Sequence, residues 1–476
     1  MPPFYELQLI LLTSFCVVSL LLERHVSNKK QARAKEHHIE NGNGHVGGAS
    51  GAASAIATLT RQYLIVYAIV MGADWLQGPY VYSLYREQYE FPERMVAILF
   101  VTGFMSAGFA APLVGAWADK HGRKRLCLVF CVTYALACFC ILFPYLPLLL
   151  IGRLLGGIST SILFSAFESW LISSANTLAI PQADLSSIMG RATLVNGFVA
   201  TAAGVASNQL VGMTSSFASP FVASAGLLCL GYFVIRRLWR ENFGGSEGAG
   251  SKADSEPDML QIRRLRQAWK IVREDPTLLV LGLTQTCFEG SMYLFVFVWV
   301  PTLQEAAPPS IPLPLGYIFS SFMVSMMLGS LLYTAIVSHT HAPSTPNADP
   351  SLTLHAKLSS LVCAVSALAL AVSVSSRDEH VRFFAFCAFE ACVGMYYPVQ
   401  GMLRGTLISN EHRATLSSLF RVPLNIFVVV SLLTGVSSAR QMVLTASSCM
   451  LAFSSLMTGA VILNRVDHNE VPPRTA

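Results

Sequence analysis

Thirteen apolar runs separated by short polar or basic loops constrain this chain more tightly than any other feature. A run near twenty residues is long enough to cross a hydrocarbon core of about 30 Å as a helix, at about 1.5 Å per residue. The first covers residues 7–22. Twelve more follow at approximately 62–85, 95–117, 126–143, 147–176, 186–211, 217–236, 277–303, 314–338, 355–375, 382–408, 413–435 and 442–463. A composition 53% hydrophobic and 12% charged excludes an ordinary soluble domain. The expected class is an all-α polytopic membrane protein.

The loops set the orientation. Residues 7–22 follow Glu6 and precede Arg24, Lys29, Lys30, Arg33 and Lys35. Basic charge after the run and none before it predicts an outside N-terminus and a retained anchor helix; a cleaved signal peptide is the alternative, though no A-x-A-like site precedes the charges. Residues 36–60, rich in Gly, Ala, Ser, Asn and His, read as a flexible cytoplasmic linker. Between the sixth and seventh of the twelve later runs, residues 237–276 carry Arg240, Arg263, Arg264, Arg266, Lys270 and Arg273 and read as a cytoplasmic loop. The expected domains are 1–61 (anchor and linker), a six-helix half at 62–236, the loop at 237–276, a second half at 277–463 and a cytoplasmic tail at 464–476. The net charge of +5 is dispersed among these loops, which implies no nucleic-acid partner. Eleven cysteines lie in or beside apolar runs without ligand spacing, so neither a metal, a cofactor nor a disulfide framework is expected.

Between the second and third of those runs stands GAWADKHGRKR, residues 115–125, which fills every position of G-x-x-x-D-[RK]-x-G-R-[RK]. This resembles the cytoplasmic signature loop of the major facilitator superfamily. Gly115 permits close helix approach, Gly122 supplies a turn and Asp119 can take cationic side chains across it. Lys120, Arg123, Lys124 and Arg125 hold the loop inside. Gly115, Asp119, Gly122, Arg123 and Lys124 are therefore gating candidates. The second half has no good copy: Gly329-Ser-Leu-Leu-Tyr333 stands at the equivalent turn.

Charges within apolar runs cost about 2.5–3.5 kcal/mol each at the bilayer centre and require a reason. Asp74 and Glu289 each stand twelve residues into the run that opens a half, about 18 Å deep. They read as facing carboxylates that carry protons, or as structural groups paired within their own halves. Glu390, in the tenth run, joins them as a coupling candidate. Aligned on the glycines that follow, Arg153 corresponds to Glu390, and Glu168 to Arg404; Glu168 and Arg404 are read as gating groups, with pairing across the halves or of Glu168 with Arg191 as alternatives. SSIMGRATLVN and SSLFRVPLN place Arg191 with Asn196, and Arg421 with Asn425, about one turn apart. A guanidinium fork and an amide suit a tetrahedral oxyanion, whereas arginines near a helix end also snorkel. Arg153, Arg191, Asn196, Arg421, Asn425, Gln77 and Tyr80 are the substrate-binding candidates, and Gly78-Pro79 predicts a local break in the first helix of the half.

ADWLQGPYVYSLY at 73–85, GRLLGGISTSILFSAFESW at 152–170, IFSSFM at 318–323 and FRVPLN at 420–425 resemble strings of the molybdate-anion transporter family of the major facilitator superfamily. The resemblance takes in nearly all of residues 62–463, the extra N-terminal helix and the missing second signature. It implies molybdate uptake as a secondary carrier, with the plasma membrane the expected location and an organelle membrane the alternative. Moving a dianion into a compartment negative by about 100 mV costs about 4.6 kcal/mol, so accumulation would need coupling, for which protons are candidates. No G-x-x-x-x-G-K-[ST] loop is present to suggest a pump, and no nucleophile and base set suggests an enzyme. Sulfate, an organic solute, or a non-transporting receptor or scaffold role are the rival readings.

Overall fold

The structure, a computed structural model, describes residues 4–40, 49–243, 269–270, 272–308, 312–340, 350–408, 413–434 and 440–463. Most of the 237–276 loop, the 464–476 tail, much of the 339–351 loop, the packing of Gly115 and the side chain of Asp119 lie outside what is described. The described elements are helical: α1 Phe4–Glu40, α2 Ala49–Gln77, α3 Glu93–His121, α4 Arg123–Ile141, α5 Leu146–Leu163, α6 Ala166–Thr177, α7 Gln182–Thr214, α8 Ser219–Leu238, α9 Pro276–Ala306, α10 Leu315–Thr340, α11 Pro350–Ser375, α12 Glu379–Leu407, α13 Arg413–Thr434 and α14 Arg440–Met457.

Eleven helical stretches among the described residues are long and apolar enough to cross a membrane. The two expected spans outside that set have a physical reason. α12 is 29 residues long but carries Glu379, Arg382, Glu390 and Arg404, and only Leu419–Thr434 of α13 is apolar. The linker expectation needs correction: residues 36–40 close α1 and residues 49–60 open α2. Glu36 and Glu40 in the first segment and the five alanines of the second are good helix formers, and their propensity prevails over the glycine and serine content.

Sequence punctuates the helices where it should. Gly78 and Pro79 interrupt α2 with one tighter turn, Gly78–Tyr80, before the chain continues helically to Gln88. The 147–176 run is two helices, broken at Phe164 and Ser165. Thr160 and Ser165 hydroxyls donate to the carbonyls four residues back, at 3.0 and 2.7 Å, a pattern that bends helices. Asp275 caps α9 by accepting from the Thr277 amide at 2.9 Å, with Pro276 at the first helical position.

Two compact units emerge, residues 1–252 with 314–324, and residues 253–313 with 325–476. In the first, α3 and α5 cross at Gly157, where a Cβ would overlap the Gly103 carbonyl and Ser106. In the second, α10 and α12 cross at Gly329 and Gly394, whose added Cβ atoms would strike the Ala391 and Met326 carbonyls. Arg153 and Glu390 each stand four residues before such a crossing glycine, Gly157 and Gly394.

Candidate functional site

The α3–α5 crossing brings Arg153 into the interior of the first unit. Its Nε donates to the Leu99 carbonyl at 3.1 Å, and its guanidinium lies 5.2 Å from the Phe100 ring centroid. No carboxylate among the described residues forms an ion pair with it. The buried hydroxyl of Tyr85 lies beside this charge. Arg153, Gln77, Tyr134, Gly156 and Thr160 line a cavity of about 110 Å³ between α2, α3, α4 and α5. That is far more room than one water needs. A guanidinium that lines such a space with no described carboxylate partner can receive an anion without first surrendering one.

Asp74 stands behind the cavity wall. The Tyr134 hydroxyl donates to its Oδ1 at 2.5 Å. Neighbouring polar groups are committed elsewhere. Gln77 Nε2 donates to Ser224 Oγ at 2.9 Å and to the Ala73 carbonyl at 3.3 Å, so both its amide hydrogens are spent. Tyr80 donates to Asn208 Oδ1 at 2.9 Å, and Asn196 Oδ1 accepts from Trp75 Nε1 at 2.8 Å. Arg191 is exposed. Five residues along a helix is about 140° of rotation, so α7 does not present Arg191 and Asn196 as one fork. Of the binding candidates in this unit, the structure brings only Arg153 and Gln77 to one cavity.

In the second unit Glu289 lies on α9 within its own ion pair. Arg404 Nη2 is 3.7 Å from Glu289 Oε1, Tyr396 donates to that oxygen at 3.3 Å, and Gln285 donates to Oε2 at 3.4 Å. This corrects the charge-swapped arrangement in which Arg404 and Glu168 bridge the halves: a nearer carboxylate on α9 takes the arginine, and Glu168, exposed on α6, has no described ion-pair partner. Glu390 is buried, 6% exposed, with no hydrogen bond or ion pair among the described residues. Arg421 is exposed and Asn425 half-buried on α13.

At the signature loop the anion that matters in the described residues is one the sequence reading passed over. Glu241 Oε1 accepts from the Lys124 amide at 2.8 Å and Oε2 from the Arg125 amide at 3.1 Å, capping α4. The Arg123 amide donates to the Asn242 carbonyl at 3.0 Å. Gly122 turns here at φ +102°, and a Cβ on it would lie 2.6 Å from Glu241 Cδ. Trp239 stacks on Trp170 at 3.7 Å and donates to the Gln62 carbonyl at 3.2 Å; Asn242 Nδ2 reaches Trp170 O and Ser174 Oγ. Residues 239–242 therefore fasten α2, α4 and α6 together. An acid following Arg236, Arg237 and Arg240 was the available signal for Glu241. Tyr134 and Tyr85 gave none, being uncharged residues in apolar runs.

Comparison with known proteins follows the same lines. Residues 45–388 match a family model described as sugar transporters with 12 TM spans. A "Molybdate-anion transporter" of Xenopus tropicalis is 34% identical over 374 residues, covering 77% of this chain and 76% of that protein. One of Danio rerio is 31% identical over 397 residues, covering 80% and 79%. Among solved structures, a POT peptide transporter in complex with alafosfalin superposes with a TM-score of 0.66 at 11% identity, covering 87% of this chain and 95% of that one. A point mutant of the nucleoside transporter NupG gives 0.63 at 10% identity, covering 86% and 99%. Those two likenesses are of fold.

Proposed function

We propose, since this chain belongs to the molybdate-anion transporter family of the major facilitator superfamily, that it is a secondary carrier that takes molybdate across a membrane by alternating access. The observation that carries the site is Arg153: a guanidinium without a carboxylate partner among the described residues, lining a cavity between α2, α3, α4 and α5. Molybdate is a tetrahedral dianion. Charge-assisted hydrogen bonds from the guanidinium, each worth about 1.5–3 kcal/mol, would replace part of its hydration. Gln77, Thr160 and Tyr134 shape the wall, and the Tyr134 hydroxyl is bonded to Asp74. Asp74 is the coupling carboxylate, placed one hydroxyl away from the anion. No catalysis is assigned to the chain.

Purified protein in liposomes tests this reading directly. Labelled molybdate should enter with saturable kinetics, and Arg153→Gln should raise the half-saturating concentration tenfold or more with unchanged insertion. Equal inhibition by equimolar sulfate would broaden the substrate to tetrahedral oxyanions. Absence of molybdate flux in the wild type would refute the transport assignment, and wild-type affinity in Arg153→Gln would move the site elsewhere.

A further inference from the structure

Asp74 and Arg153 do not form an ion pair, yet one side chain touches the space of both. Tyr134 lines the Arg153 cavity and donates its hydroxyl hydrogen to Asp74 Oδ1. We propose that the Tyr134 hydroxyl is the switch that couples protonation of Asp74 to anion binding at Arg153. The proposal rests on the oxyanion reading above and names the residue that regulates that site.

A phenol has one hydrogen to give and lone pairs to receive. With Asp74 ionised, that hydrogen is held by the carboxylate, and only lone pairs remain to face the cavity, where they repel an anion. When a proton from solution adds to Asp74, the carboxylic acid becomes a donor and gives its hydrogen to the phenol oxygen. The Tyr134 hydrogen is then released to turn about the C–O bond into the cavity, where it donates to an oxyanion oxygen beside the guanidinium. One proton is gained and one hydrogen bond changes direction. Deprotonation of Asp74 takes the hydrogen back and weakens the hold on the anion, so proton and anion load and leave together.

Among the described residues the Tyr134 hydroxyl is the hydrogen-bond partner of Asp74. Its titratable neighbours are Tyr67 on its own helix and Tyr134 and Cys138 on α4. Arg153 on α5 acts on Tyr134, and Glu168 on α6 reaches only as far as Tyr67 and Tyr63. Beside it α7 offers Asn196, bonded to Trp75, and α8 offers Ser224, bonded to Gln77 and the Ala73 carbonyl. Neither is charged.

Molybdate binding to the purified full chain, measured by calorimetry at about pH 6 and about pH 8, tests the switch. The wild type should bind about tenfold more tightly at the lower pH, the worth of one charge-assisted hydrogen bond. Asp74→Asn, whose amide donates to the phenol oxygen permanently, should bind tightly at both. Tyr134→Phe should bind at both pH values about as weakly as the wild type does at pH 8, with the pH effect reduced to about twofold. The deciding measurement is the double variant. Asp74→Asn in the Tyr134→Phe background should lose the tight binding that Asp74→Asn alone confers. If the double variant binds as tightly as Asp74→Asn, the carboxylate acts by charge alone and the switch is wrong; if Tyr134→Phe keeps the wild-type pH dependence, it is wrong as well. A wild type that binds no molybdate at either pH overturns the oxyanion reading itself.

Discussion

Asp74 and Glu289 occupy corresponding places, each twelve residues into the run that opens a six-helix half, yet their surroundings differ in kind. Asp74 meets a tyrosine, and the arginine nearest to its cavity keeps its charge unspent. Glu289 meets Arg404 directly, with Tyr396 and Gln285 completing its shell. The side chains of this second pair are only 12% and 23% exposed, so it is shielded rather than solvated. An arginine already paired with a carboxylate has little to offer an anion. The difference teaches that corresponding places in the sequence of the two halves do not bring corresponding partners. The first unit holds an open cation; the second holds a closed pair.

The largest effect expected from breaking this contrast falls on the closed pair. Glu289→Gln strands Arg404 in a shielded site, which should cost about 3–5 kcal/mol, and the added change Arg404→Gln should recover much of it. Thermal unfolding of the purified protein measures both, and a Glu289→Gln variant as stable as the wild type would show the pair to be open too. Next comes Arg153→Gln, which should lose about 1.5–3 kcal/mol of anion affinity with little change in stability, because no carboxylate is stranded. A large fall in its unfolding temperature would make Arg153 structural like Arg404.

Smaller effects sharpen the contrast at the inner face and the helix ends. Gly122→Ala must hold φ +102° and push Glu241 aside, at a cost on the order of 1–2 kcal/mol in the stability of the first unit. Limited proteolysis near residue 243 should accelerate; unaltered cleavage would detach Glu241 from the latch. The smallest concerns Asp378, which accepts from the His380 and Val381 amides at 2.7 and 3.1 Å and is held below the usual carboxylate range by those bonds. Its folded-state pKa is depressed, so its contribution is complete above the unfolded value and disappears as pH falls through the folded one. Asp378→Ala should therefore lower the unfolding temperature slightly at neutral pH and not at all in strong acid.

Sequence alone made the helical class and the spacing of Arg153 and Glu390 from their crossing glycines legible, because apolar length and glycine spacing are local signals. The turn at Gly78-Pro79 was legible for the same reason. Partner choice was not. Glu168 could be paired across the halves or with Arg191, and Glu289 emerged as the partner of Arg404 once α9 and α12 were seen side by side. The fork of Arg191 with Asn196 failed on helical rotation, and Tyr134 carried no charge to draw attention among its apolar neighbours. Glu241 was hidden in a stretch whose net basicity argued only for sidedness.

The clasp made by residues 239–242 has a consequence for how the protein is born. Every group it grips, from Gln62 through Lys124 and Arg125 to Trp170 and Ser174, comes earlier in the chain. A ribosome releases residues in order, and domains generally fold N-terminal first. Once Asn242 emerges, α2, α4 and α6 can be fastened while α9 to α14 are still unmade. These three helices are thus able to join before the second half competes with them for partners, and a nascent chain arrested soon after residue 243 should already resist protease at the turn around Gly122.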